Sequence, residues 1–184
     1  MRIFVAAAFL TAAAGIAGAQ APAGQFAPPP SPPAAGKTAT LLGTGGKAIG
    51  TVTLTDAPSG VLLRVEASGL TPGWHGIHFH EKGDCSDAAF KMAGGHVHSM
   101  TPVVHGLLHD GANDQGDLTN VHAGADGKVD AEIFSTMASL HAGAGRADLL
   151  DADGSAVVIH AKPDDYKTQP IGGAGDRVAC AVVK

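Results

Sequence analysis

Ten histidines are the chemical signature of this chain, and every one lies between His75 and His160. His78 and His80 are spaced by one residue inside Gly76–His80, a strand-like segment, and strand alternation puts both imidazoles on one face. Two imidazoles on one face can grip a metal ion; His75 precedes them, and His96, His98, His105, His109, Asp114 and Asp117 follow. His160 ends the apolar run Val157-Val158-Ile159, where a buried imidazole needs partners for both nitrogens and a metal is a good one. Imidazole-rich sets suit copper or zinc, whereas carboxylates favour harder ions. The only cysteines are Cys85 and Cys180.

The elements that must position these groups read as strands. Thr51–Thr55 alternates, and Val61, Leu63 and Val65 face away from Leu62, Arg64 and Glu66, with Ala57-Pro58-Ser59-Gly60 as the turn between them. Thr38–Leu42, Gly76–His80, Ser155–His160 and Arg177–Val183 extend the series, and Asp126-Gly127 marks a hairpin turn between Asn120-Val121 and Lys128–Phe134. Short strands between Gly, Pro and Asp turns predict an antiparallel sandwich or barrel. Gly 26, Pro 11 and 4% aromatics argue against a helical bundle. Two long regions lack the pattern, 81–116 and 162–176; both adjoin His-bearing strands, so they are expected to be functional loops.

Length and charge bound the rest. The 184 residues suit one domain with appendages, and a net charge of −5 without a basic cluster excludes nucleic acid as the expected partner. Arg2, the apolar run Ile3–Ile16 and Ala17-Gly18-Ala19 have the layout of a secretory signal over 1–19, cut before Gln20. Residues 20–36, with Pro28-Pro29-Pro30 and Pro32-Pro33, read as a Pro/Ala-rich linker. The folded domain is then 37–184. It is expected to be periplasmic or secreted, with no membrane attachment after signal removal. From residue types alone, the reading is a secreted β protein with a copper or zinc site.

Several segments together resemble the copper–zinc superoxide dismutases, in the bacterial periplasmic form. These are Gly76-Ile77-His78-Phe79-His80-Glu81-Lys82-Gly83-Asp84-Cys85, Ala93-Gly94-Gly95-His96, Gly116-Asp117-Leu118, Val158–Tyr166 and Gly172–Cys180, in the family's order. The resemblance implies an all-β, eight-stranded antiparallel Greek-key barrel with two long functional loops. It implies copper on His78, His80, His96 and His160, with His96 bridging as imidazolate and proton carrier to zinc on His96, His105 and Asp117. Arg177 would guide the superoxide anion. Asp164 would orient one copper and one zinc histidine from outside, and His75 would lie just beyond the copper ligands. The implied reaction is dismutation of superoxide; the other reading is a metal-binding module of the same fold without turnover.

The chain departs from the family at one place. Three residues before the zinc aspartate the family has His, and this chain has Asp114. The expectation is that Asp114 completes the zinc set, with His109 and His98 as the other candidates. An even pair of cysteines in an exported chain favours a Cys85–Cys180 disulfide. His122 and His141 receive no role, and a homodimer is left open.

Overall fold

The computed structural model describes residues 36–143 and 145–184. The signal and linker expected over 1–19 and 20–36 fall outside the described residues, apart from Gly36, which opens the first strand.

Alternation does most of the building. Strands β1 (Gly36–Gly43), β2 (Ala48–Ala57) and β3 (Gly60–Ala67) form an antiparallel meander. Val52 and Leu54 of β2 lie directly opposite Val65 and Leu63 of β3, and all four are fully buried. Their Thr and charged neighbours point outward, where Arg64 meets Glu66, Asp130 and Glu132 on the exposed face. Such cross-strand apolar pairs fix register, because a one-residue slip would turn every buried side chain to water.

After β3 come β4 (Gly73–His75), β5 (Ile77–His80), β6 (Val121–Ala123), β7 (Val129–Ser135), β8 (Ala138–Ser139), β9 (Ala147–Asp148), β10 (Ser155–His160) and β11 (Arg177–Val183). Seven of the eleven strands β1–β11 join in one curled sheet of order β5-β10-β11-β1-β2-β3-β7, with β11 returning to lie beside β1. Two short pairs, β4–β6 and β8–β9, accompany it. The barrel expected from the sequence is therefore present. Its strand count differs because the remaining staves are broken into pieces of two or three residues. The Asp126-Gly127 turn forms, closed by Gly124 N–H donating to the Lys128 carbonyl, but β6 pairs with β4 and β7 with β3 rather than with each other.

The edge strand β5 sets up the site. Ile77 and Phe79 enter the main core, so the period of two sends His78 and His80 to the opposite face. Their partners on β10 are Val158 and Ala156, which belong to a second small cluster with Phe90, Ala93 and Cys180. The 81–116 region covers that face. It also returns to the free edge of β5: Val97 N–H donates to the Phe79 carbonyl, and Phe79 N–H donates to Gly116. An edge strand offers unpaired amides and carbonyls, and here the loop takes them. Both 81–116 and 162–176 are largely without regular structure, as expected, apart from a single 3-10 turn over Lys91–Ala93.

Candidate metal centre

The two returns of the loop to β5 deliver ligand residues. His96 sits opposite His80, and Asp117 opposite His78. His160 arrives from the end of β10, just past a register shift against β11. One ligand atom from each of His78, His80, His96 and His160 falls within 4.8 Å of the others, and all four residues are buried. Each has one ring nitrogen already used. His78 Nε2 faces Asp164 Oδ2 at 2.9 Å, His80 Nδ1 the Gly94 carbonyl at 3.0 Å, His96 Nδ1 Asp114 Oδ2 at 2.8 Å, and His160 Nδ1 the Gly175 carbonyl at 3.0 Å. The other nitrogen of each, His78 Nδ1, His80 Nε2, His96 Nε2 and His160 Nε2, is buried with no hydrogen-bond partner. Buried polar atoms are nearly always satisfied, so four orphans converging on one point fit a metal ion. Burial also lowers the pKa of His78 and His80 and takes His160 down to about 3, so these rings are neutral and ready to ligate.

A second set adjoins the first through His96. His78, His96, His105 and Asp117 also offer atoms within 4.8 Å of one another. His78 Nε2 is taken by Asp164, which leaves its free Nδ1 to the first set. Asp114 lies beside the second set: its Oδ2 is 3.6 Å from His105 Nδ1, and Asp117 Oδ1 is 2.6 Å from the same atom. Burial works against a charged His105, but the hydrogen bonds its ring donates to Asp114 and Asp117 outweigh it and push the ring up to about 11. Burial would raise both carboxyls, yet the His105 and His96 rings hold Asp114 and Asp117 below the usual range. The other candidates for this place are elsewhere. His98 turns Nδ1 to the His96 carbonyl, and His109 is exposed with Nδ1 on the Asp110 carbonyl.

Asp164 spans the two sets. Its Oδ2 faces His78 Nε2, and its Oδ1 faces His105 Nε2 at 3.1 Å. The ring N–H groups keep its carboxyl below the usual range against the opposing effect of burial. Asn120 grips the Asp164 backbone from both sides, donating to its carbonyl and accepting from its N–H. Gly172 takes φ +59, and a Cβ there would strike the Asp164 carboxylate, so only glycine allows this packing. His75 lies just behind the first set, its ring nitrogens at the carbonyls of His160 (2.6 Å) and Thr71 (2.7 Å). His122 stacks edge-on against Trp74, and His141 is exposed.

Arg177 reaches the same place from β11. Its Nη1 donates to the Phe90 carbonyl and its Nη2 to the Gly94 carbonyl, both at 2.6 Å. The Gly94 carbonyl thus receives both Arg177 and His80. The guanidinium forms no ion pair with a carboxylate among the described residues, and it borders an open pocket with Ala89, Lys91, Gly175 and Asp176. Gly94 has φ +76, and a Cβ there would meet the Glu81 carboxylate, which itself accepts the Gly95 N–H. Gly94 and Glu81 were visible in the motif as letters, but nothing in their spacing marked them as the support of this corner. Cys85 and Cys180 form the expected disulfide, tying the same loop to β11.

A curled antiparallel barrel with four convergent imidazoles, a shared histidine and a neighbouring His–Asp set defines a binuclear metalloprotein. Residues 48–183 match the family described as copper/zinc superoxide dismutase (SODC), to which the chain belongs. It is 60% identical over 147 residues to the superoxide dismutase [Cu-Zn] of Caulobacter vibrioides, covering 80% of this chain and 84% of that protein. A SOD-like protein from Bacillus subtilis superposes with a TM-score of 0.74 at 34% identity, over 80% of this chain and 97% of that one. The Cu/Zn superoxide dismutase from Brucella abortus gives 0.66 at 31% identity, over 82% and 100%.

Proposed function

We propose that the chain dismutes superoxide to dioxygen and hydrogen peroxide, with copper on His78, His80, His96 and His160 and zinc on His96, His105, Asp114 and Asp117. The observation that carries this reading is the set of four buried, partnerless imidazole nitrogens beside a half-buried arginine that forms no contact ion pair among the described residues. Bound copper supplies the one-electron chemistry that oxidises one superoxide and reduces the next. The residues supply the rest. Arg177, fixed by two carbonyls, attracts the anion to an otherwise acidic protein and orients it at the mouth of the first set. His96 presents Nε2 to the first set and Nδ1 to the second, so it is the imidazole that can hold a proton at Nε2 and pass it to reduced substrate. Asp164 keeps His78 and His105 in fixed ring orientations. A metal store would have no use for an anion guide, which favours the enzyme over a binding module.

The same reading places residues 1–19 as an export signal, 20–36 as a spacer and 37–184 as the working domain in the periplasm or outside the cell. A disulfide in the domain supports an oxidising compartment. The test is decay of superoxide in the presence of purified protein loaded with copper and zinc, against metal-free protein. Acceleration that follows copper occupancy is expected; copper uptake without acceleration would favour the binding module.

A further inference from the structure

The second metal set carries two carboxylates, and their placement has a consequence for which metal enters. Asp114 spends Oδ1 on the Gly116 N–H at 3.0 Å, and Asp117 spends Oδ2 on the Gly106 N–H at 2.6 Å. Each carboxylate is thereby turned so that only its other oxygen faces the imidazoles. Asp114 Oδ2 is 2.8 Å from His96 Nδ1 and 3.6 Å from His105 Nδ1; Asp117 Oδ1 is 3.4 Å and 2.6 Å from the same atoms. The four residues are almost wholly buried. The result is a compact donor set of two nitrogens and two single oxygens.

Three properties follow from this arrangement. Four donors with both carboxylates held to one oxygen each suit a tetrahedral ion, and they cannot give the six or more oxygens that calcium or magnesium takes. The two donor carboxylates balance a dication, whereas a monovalent ion would leave excess negative charge in a buried place that already has the Asp164 carboxylate behind His105. Carboxylate oxygen is also a hard donor, poorly matched to monovalent copper. The neighbouring first set is the reverse, with four imidazoles and no carboxylate.

Resting on the zinc-site reading above, we propose that Asp114 makes the second set a gate of metal identity. The pair Asp114–Asp117 admits a tetrahedral divalent ion of the zinc or cobalt class and shuts out monovalent copper, so the chain sorts its two metals by charge between adjoining sites.

The test uses metal-free, disulfide-intact protein without oxygen, titrated with cuprous ion against a copper chelator and separately with cobaltous ion, whose visible bands report tetrahedral binding. Wild type should take one cuprous ion per chain, and its cobalt bands should survive excess cuprous ion. Asp114→His should accept a second cuprous ion, with second-site affinity about tenfold or more above wild type. Asp114→Asn keeps the shape and removes only the charge; it should weaken cobalt binding and let cuprous ion displace it. A wild type that binds the second cuprous ion as tightly as Asp114→His overturns the gate while leaving Asp114 a ligand. Cobalt bands and affinity unchanged in Asp114→Asn would instead show that Asp114 is no ligand, and the zinc-site reading would fail first.

Discussion

Removing the Cys85–Cys180 cross-link should cost the domain a large share of its stability. The bond spans 95 residues of sequence, and the chain-entropy estimate for a loop of that size is about 4.7 kcal/mol. The right perturbation is Cys85→Ser with Cys180→Ala. Cys180 is fully buried against Phe90, Ala93, Ala156 and Val158, so a serine there would bury a hydroxyl, whereas Cys85 is only half-buried. In a domain of this size each kcal/mol moves the melting temperature by about 2–4 °C, so the double variant should melt roughly 10–20 °C lower. Metal-free protein is the form to melt, because bound metal adds its own stabilisation. The bond also anchors the loop whose Phe90 and Gly94 carbonyls hold Arg177, so substrate capture should weaken in metal-loaded variant. A drop of less than about 3 °C would mean that the loop is held by its β5 contacts alone and that the cross-link is energetically idle.

Three further outcomes are expected. His160→Ala should lower copper occupancy and dismutation together, measured by metal analysis and superoxide decay on the same samples. Arg177→Ala should keep copper but slow turnover and flatten its dependence on ionic strength, since steering of an anion is screened by salt; an unchanged salt profile would remove Arg177 from substrate guidance. The metal-free protein should be most stable near pH 6.5. His105, raised to about 11, contributes stability that is full below the ordinary histidine value and lost as pH rises toward 11, while His160, lowered to about 3, contributes stability lost as pH falls from 6.5 toward 3. Melting temperatures across that range check both limbs, and zinc should abolish the alkaline one by replacing the His105 proton.

Much of this was legible in the chain because its signals were local. The period of two in Thr51–Thr55 and Val61–Val65 predicts β2 and β3, and the same period puts His78 and His80 on one face. The order of motifs pointed to the four histidines that the structure brings together, to the disulfide and to the position of Arg177. What the sequence did not carry were contacts made by backbone groups far apart in the chain. Nothing in Ala93-Gly94-Gly95-His96 signals that one carbonyl receives both His80 and Arg177, because hydrogen bonding by a carbonyl leaves no mark on side-chain type. The split staves β4 and β6 were likewise unreadable, being too short to show a period. Three candidates for the fourth ligand of the second set could be narrowed only in space, where Asp114 points inward and His98 and His109 do not.

The central claim is tested most directly by product stoichiometry: a known pulse of superoxide is given to copper- and zinc-loaded protein, and hydrogen peroxide and dioxygen are both counted. Dismutation predicts one hydrogen peroxide and one dioxygen for every two superoxide ions, repeated over many turnovers without added reductant. Turnover that stops after one equivalent per copper, or peroxide formed without matching dioxygen, would contradict it.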